Sequence, residues 1–191
     1  MSSTSAPFGL RPAFHPSGLD RASALADGIL STYSVDILKG QPVKMATGGV
    51  IQVAAAGDAF LGAFSGVEFT DTTGRRRVSN SWPANTAYQA GSCIAYFYND
   101  PNIVYEIQAA GSLAQTSIGD EADLSNTTAG STTTGLSAAT LSTTLAGSGN
   151  SAQMRIINLA PYPDNAWGDS FTIVRATIAE YQFAGAAGTA I

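Results

Sequence analysis

The chain carries one histidine, His15, and one cysteine, Cys93. Any Ser-His-Asp or Cys-His mechanism must therefore recruit His15. That residue stands between Phe14 and Pro16, in a proline-punctuated stretch that is a poor place to hold an imidazole against a nucleophile. One His and one Cys also leave too few soft ligands for zinc. The densest acid group is Asp120-Glu121-Ala122-Asp123. Paired carboxylates can run a glycosidase-type reaction. Adjacent acids in a polar loop more often hold solvent or calcium, and this spacing lacks the glycine and distal Glu of an EF-hand. No G-x-x-x-x-G-K-[ST] and no G-x-G-x-x-G opening a helix is present, so nothing supports nucleotide binding. Arg75-Arg76-Arg77 is the only basic run, on a chain of net charge −5. That is no footprint for nucleic acid. It suits carboxylates on a partner protein, which the planar guanidinium fork matches. The residues thus point to contact rather than catalysis: no enzyme, no cofactor, no metal and no small-molecule substrate are expected.

Composition points the same way. Hydrophobic residues make up 45% of the 191, enough to bury a core, while charged residues make up only 12%. That is about half the usual charged share. A surface so short of charge is poorly defended against association, which suggests that other subunits cover much of it. Cys93 alone cannot close an internal disulfide, which fits a reducing cytoplasm during synthesis. Residues 1–7 lack a basic start and an apolar h-region, so no secretory signal is expected. No apolar run approaches the ~20 residues of a membrane span, so no membrane is expected as partner.

The elements that must position these residues read as strands. From Leu38 to Phe69 short apolar runs alternate with glycine turns, each run about the length of a strand of ~5 residues. Thr47-Gly48-Gly49 is expected to close a hairpin, because glycine reaches positive φ without steric cost. Cys93–Tyr98 and Ile103–Ala109, joined by Asn99-Asp100-Pro101-Asn102, are expected to form a second hairpin. Gln153–Leu159 and Ser170–Phe183 add two more strands. The fold class expected is mainly β, an antiparallel β-barrel or jelly-roll-like sandwich with an extended N-terminal arm. The arm is residues 1–34. Its prolines, Pro7, Pro12 and Pro16, argue against helix and paired strand. Its Phe8, Leu10, Phe14 and Leu19 argue that it docks, on its own domain or on a neighbour. A short helical turn is expected within Arg21–Leu30. Residues 35–183 form a single β domain with an exposed loop at 70–86 and a Ser/Thr/Gly-rich segment at 125–151. Residues 184–191 form a tail.

Several segments together resemble a known family. Ala6-Pro7-Phe8-Gly9-Leu10-Arg11-Pro12 comes first. Asp100-Pro101 followed by Val104-Tyr105-Glu106-Ile107-Gln108 comes second. Gly130-Ser131-Thr132-Thr133-Thr134-Gly135-Leu136-Ser137 comes third, and Pro163-Asp164-Asn165 with Gly168-Asp169 last. In this order they resemble the head decoration, or capsid cement, proteins of tailed bacteriophages. The resemblance implies a virion structural protein on the capsid exterior that bridges and stabilises major capsid protein subunits. Self-association as a homotrimer or homodimer is implied with it. The contact residues expected are Phe8, Leu10, Arg11 and Phe14 of the arm and Arg75, Arg76 and Arg77 of the loop. The alternative expectation is a virion receptor- or glycan-binding module that stacks sugars on Trp82, Tyr88 or Trp167.

Overall fold

The computed structural model describes residues 2–17, 22–147 and 149–184. Leu19, the first residue of the expected helical turn and the expected tail beyond Ala184 lie outside the described residues. The protein is mainly β and its sheets are antiparallel.

In chain order the strands are β1 (Arg11–Phe14), β2 (Ser23–Ala26), β3 (Ile37–Leu38), β4 (Pro42–Ala46), β5 (Val50–Val53) and β6 (Gly62–Thr70). Then come β7 (Arg76–Ser79), β8 (Ser81–Trp82), β9 (Ile94–Phe97), β10 (Val104–Gln108) and β11 (Glu121–Ser125). The last are β12 (Gly130–Ser131), β13 (Leu136–Ser137), β14 (Thr140–Leu145), β15 (Met154–Leu159) and β16 (Ile173–Ile178). Sheet one runs β1-β10-β16-β15-β11-β14. Sheet two runs β2-β9-β6-β4-β5, with β7 laid along the far part of β6. Two small ribbons, β3-β8 and β12-β13, complete the pairing.

Each sheet has its own apolar core. Leu10, Tyr105, Ile107, Leu141, Met154 and Val174 belong to the first. Ile37, Val43, Phe64, Val67, Trp82 and Phe97 belong to the second. The chain around the start of β6 serves both. Phe60 and Ala63 face the first core, while Leu61 and Phe64 face the second. At this seam a Cβ on Gly62 would lie 1.9 Å from the Tyr98 carbonyl oxygen, so the position admits only glycine. The β4–β5 hairpin forms as expected, with Gly48 and Gly49 at φ 94° and 75°.

The N-terminal stretch is extended, but it is not a free arm. β1 is the outermost strand of sheet one, paired with β10. Pro12 is tolerated there because no further strand among the described residues needs its missing N–H, and the ladder is irregular between Pro12 and Phe14. Leu10 is 1% exposed within the first core. Burial of such a side chain contributes about 1.5–3 kcal/mol, which helps hold the stretch down. Ser2 is buried, and its carbonyl accepts the Phe171 N–H at 2.7 Å. Where a helical turn was expected, β2 pairs with β9.

The expected hairpin of Cys93–Ala109 does not form. Asn99–Asn102 does turn the chain, with the Ile103 N–H donating to the Asp100 carbonyl at 3.2 Å. However, β9 is already flanked by β2 and β6, so β10 has no edge to join and crosses into sheet one. The expected exposed loop at 70–86 holds β7 and β8 instead. Trp82 within it is fully buried, because β8 pairs with β3 and turns the indole into the second core. The Ser/Thr/Gly-rich segment is more ordered than its composition suggests, containing β12, β13 and β14. The closing strand is shorter than expected, Ile173–Ile178.

Candidate functional site

Along β10 the side chains alternate, so Tyr105 and Ile107 enter the first core while Glu106 turns to the other face. Pairing then sets Arg11 of β1 and Arg175 of β16 on either side of Glu106. The Glu106 side chain is 7% exposed. It accepts hydrogen bonds from Arg11 Nη2 at 2.7 Å and from Arg175 Nε and Nη2 at 3.3 Å each. The Tyr162 hydroxyl donates to it as well. Arg11 reaches the same hydroxyl and lies 4.6 Å from the centroid of the Phe8 ring, a cation–π contact. Burial pushes the Glu106 carboxyl up, but the bonds from Tyr162 and Arg11 and the guanidinium charges outweigh it. The net position is below the ordinary value of 4.5. Burial first, and Glu106 second, push the Tyr162 hydroxyl up. A carboxylate held in this way stays ionised and fixes β1 to its sheet.

Beside this row runs a groove of about 270 Å³. Phe8, Pro12, Phe64, Tyr98 and Leu136 give it apolar walls, and Arg11 and Lys39 add positive charge. Leu136 is 47% exposed, and Phe14 at the end of β1 is 54% exposed. Of the four N-terminal contact residues expected, Phe8 and Arg11 thus line one groove and Phe14 is presented on the surface. Leu10 also borders the groove, but its side chain is buried in the core and it is no surface contact.

The three arginines stand elsewhere, on sheet two. Arg76 Nη2 pairs with Glu68 at 2.8 Å, and Arg77 Nε pairs with Asp71 at 2.9 Å. Asp71 is held well below the usual carboxylate range, chiefly by the Thr73 hydroxyl and the Arg75 N–H. Arg75 precedes β7 and is exposed. Two of the three guanidiniums thus carry an ion pair within the chain, while their side chains stay more than half exposed.

The remaining candidates have structural tasks. His15 Nε2 lies 3.0 Å from Asp100 Oδ2, and His15 Nδ1 accepts the Ser17 N–H at 3.1 Å with Ser17 Oγ at 2.6 Å. This ties the end of β1 to the crossover between the sheets. Glu121 accepts Arg155 Nη2 at 2.5 Å and the Ala152 N–H at 2.9 Å, while Asp123 accepts the Gln153 N–H at 3.2 Å. These acids stitch β11 to its neighbour. Among the described residues no three His, Cys, Asp or Glu side chains gather to hold a metal ion. Burial pushes the Cys93 thiol up to about 11, so it stays protonated and unreactive at neutral pH.

The expected sugar platforms are largely withdrawn from solvent. Trp82 meets Phe69 and Tyr88 edge-on at 5.2 and 5.8 Å. The Tyr88 hydroxyl donates to the Ile29 carbonyl at 2.8 Å, and Trp167 packs against the first core. The Arg11–Glu106–Arg175 row was not foreseen. Its one signal in the sequence is a lone charge at an alternate position inside each of two apolar runs, VYEIQ and IVRATI. Compared with protein-family models, curated proteins and solved structures, the chain matches none.

Proposed function

We propose that this chain is a head decoration protein of a tailed bacteriophage. In this reading it sits on the capsid exterior and bridges major capsid protein subunits, and it does no chemistry. The observation that supports the reading is the surface around β1: an apolar groove flanked by Arg11 and Lys39, with Phe14 and Leu136 exposed beside it. Such a surface takes an apolar or aromatic side chain from a neighbouring subunit, with a carboxylate beside it for the cations. Each contact is small, but a shell repeats it many times, and linked weak contacts add as avidity. The anchored β body suits a load-bearing clamp, since the strand that forms the groove is itself tied down by Glu106.

The test is co-sedimentation of the purified protein with parent-particle heads stripped of it, followed by imaging. The wild-type chain binds at saturable occupancy. Phe14→Asp and Leu136→Asp, both at exposed positions, lower occupancy while leaving the melting temperature within a few degrees. Heads that take up none of the wild-type protein sink the reading.

A further inference from the structure

The groove beside β1 keeps positive charge that nothing in the chain offsets. Arg11 and Arg175 share the single carboxylate of Glu106, so the row carries one positive charge over. Lys39, exposed at the groove, adds a second. Among the described residues Lys39 forms no ion pair, and no acidic side chain lines the groove. Other cations of the chain differ: Lys44, Arg76, Arg77 and Arg155 each meet a carboxylate of their own. Charges farther away than ~8 Å are largely screened at physiological salt. The local surplus, and not the net charge of −5, therefore sets what the groove attracts.

The groove is also preformed, because the main chain locks together segments distant in sequence around it. The Leu10 N–H donates to the Gly40 carbonyl, and the Gly40 N–H donates to the Phe64 carbonyl, both at 2.8 Å. The Lys39 N–H donates to the Gly135 carbonyl, and the Lys39 carbonyl accepts the Ser137 N–H, both at 2.9 Å. That pairing seats Leu136 beside Lys39. Walls held in this way lose little freedom when a partner binds.

We propose that the groove takes an extended acidic peptide segment of another protein, with one apolar or aromatic side chain between two carboxylates, each two residues away along the segment. The inference deepens the contact proposed above and rests on its groove. Side chains two apart in an extended chain share a face. The apolar side chain thus enters among Phe8, Phe64 and Leu136 while the carboxylates meet Lys39 and Arg11. Two carboxylates match the two surplus charges. Lys39 is the selecting residue, because Arg11 already has a partner in Glu106. A second copy of this chain is a poor donor. Among its described acids only Asp27 and Asp120 have carboxylates that accept nothing within the chain. Asp27 follows β2 in sheet two and Asp120 precedes β11 in sheet one, so no single segment brings both.

An NMR titration of the isotope-labelled intact chain tests this. The probe is the capped peptide Asp-Ala-Phe-Ala-Asp, with Lys-Ala-Phe-Ala-Lys as its counterpart. The acidic peptide shifts the amide signals of Lys39, Gly40 and Leu136 saturably, and the basic one does not. Lys39→Glu weakens binding of the acidic peptide roughly tenfold or more, which corresponds to ~1.4 kcal/mol. Arg75→Glu makes the same change in net charge at an exposed cation before β7, and screening keeps its effect within about twofold. Both variants replace exposed side chains and melt within a few degrees of the wild type. Equal binding of the two peptides, no saturable shift with either, or a loss in Arg75→Glu as large as in Lys39→Glu would overturn the proposal. So would a Lys39-dependent dimer of the chain alone in sedimentation velocity, which makes a second copy the occupant. Capsid binding is scored separately. Lys39-dependent peptide binding by a chain that ignores phage heads upholds this inference and defeats the decoration reading.

Discussion

β1 and β7 are both edge strands whose arginines form ion pairs with carboxylates, yet they hold their sheets on different terms. Arg11 of β1 meets Glu106, whose side chain is 7% exposed and is also bonded by Tyr162 and Arg175. Arg76 and Arg77 of β7 meet Glu68 and Asp71 with their own side chains more than half exposed. β1 is also continuous with Leu10 in the core, whereas no residue of β7 is buried. The difference teaches that what a charge is worth depends on how much water its partner has lost. A buried carboxylate without its partners costs several kcal/mol, while an exposed pair is worth well under one. β1 is therefore fixed by its charges as well as its ladder, whereas β7 is held by its ladder with little help from them.

The sharpest break of this contrast is Leu10→Ala. It should cost about 2–4 kcal/mol by chemical denaturation, the range for a buried leucine truncated to alanine. Deleting the first fourteen residues should for the same reason disrupt sheet one, not release an independent body. Next comes Glu106→Gln, which leaves Arg11 and Arg175 without their counter-charge. It should cost about 2–3 kcal/mol, less than a wholly buried pair because both arginines reach water. No change in stability would erase the distinction between the two edges.

Acid sharpens the same comparison. The folded-state pKa of Glu106 is depressed, so its contribution to stability is present above the ordinary value of 4.5 and is lost as pH falls through the depressed folded value. The difference in melting temperature between wild type and Glu106→Gln should therefore shrink as pH is lowered through that window. A difference that grows instead would reverse the sign assigned here. The smallest effect belongs to β7. Arg77→Ala should cost only about 0.2–1 kcal/mol and less in high salt, read as a melting shift with and without added salt. A loss as large as that of Glu106→Gln would put β7 on the same footing as β1.

Much of the scaffold was legible in the residues, and most of the site was not. The Thr47–Gly49 turn was readable because positive φ at two successive positions is a local demand that glycine answers. The alternation of Met154 and Ile156 against Arg155 and Ile157 was readable because side chains switch face at every residue of a strand. Glu106 reads in the sequence only as one charge within a strand-like run, since Arg11 stands 95 residues away from it. Arg75–Arg77 are conspicuous in the sequence because like charges stand in a row, and the ion pairs that Arg76 and Arg77 make with Glu68 and Asp71 are not visible there.

Local pattern alone was enough to establish a β protein with glycine-closed turns and little charge, because strand periodicity and turn conformations are set by neighbouring residues. Which strand lies beside which was decided only in three dimensions, because pairing is a competition for edges. β2 and β6 occupy both sides of β9, so β10 was left to β1 and β16. That outcome put Glu106 between two arginines, drew the proline-rich N-terminus into a sheet and, among the described residues, left β7 paired on one side only.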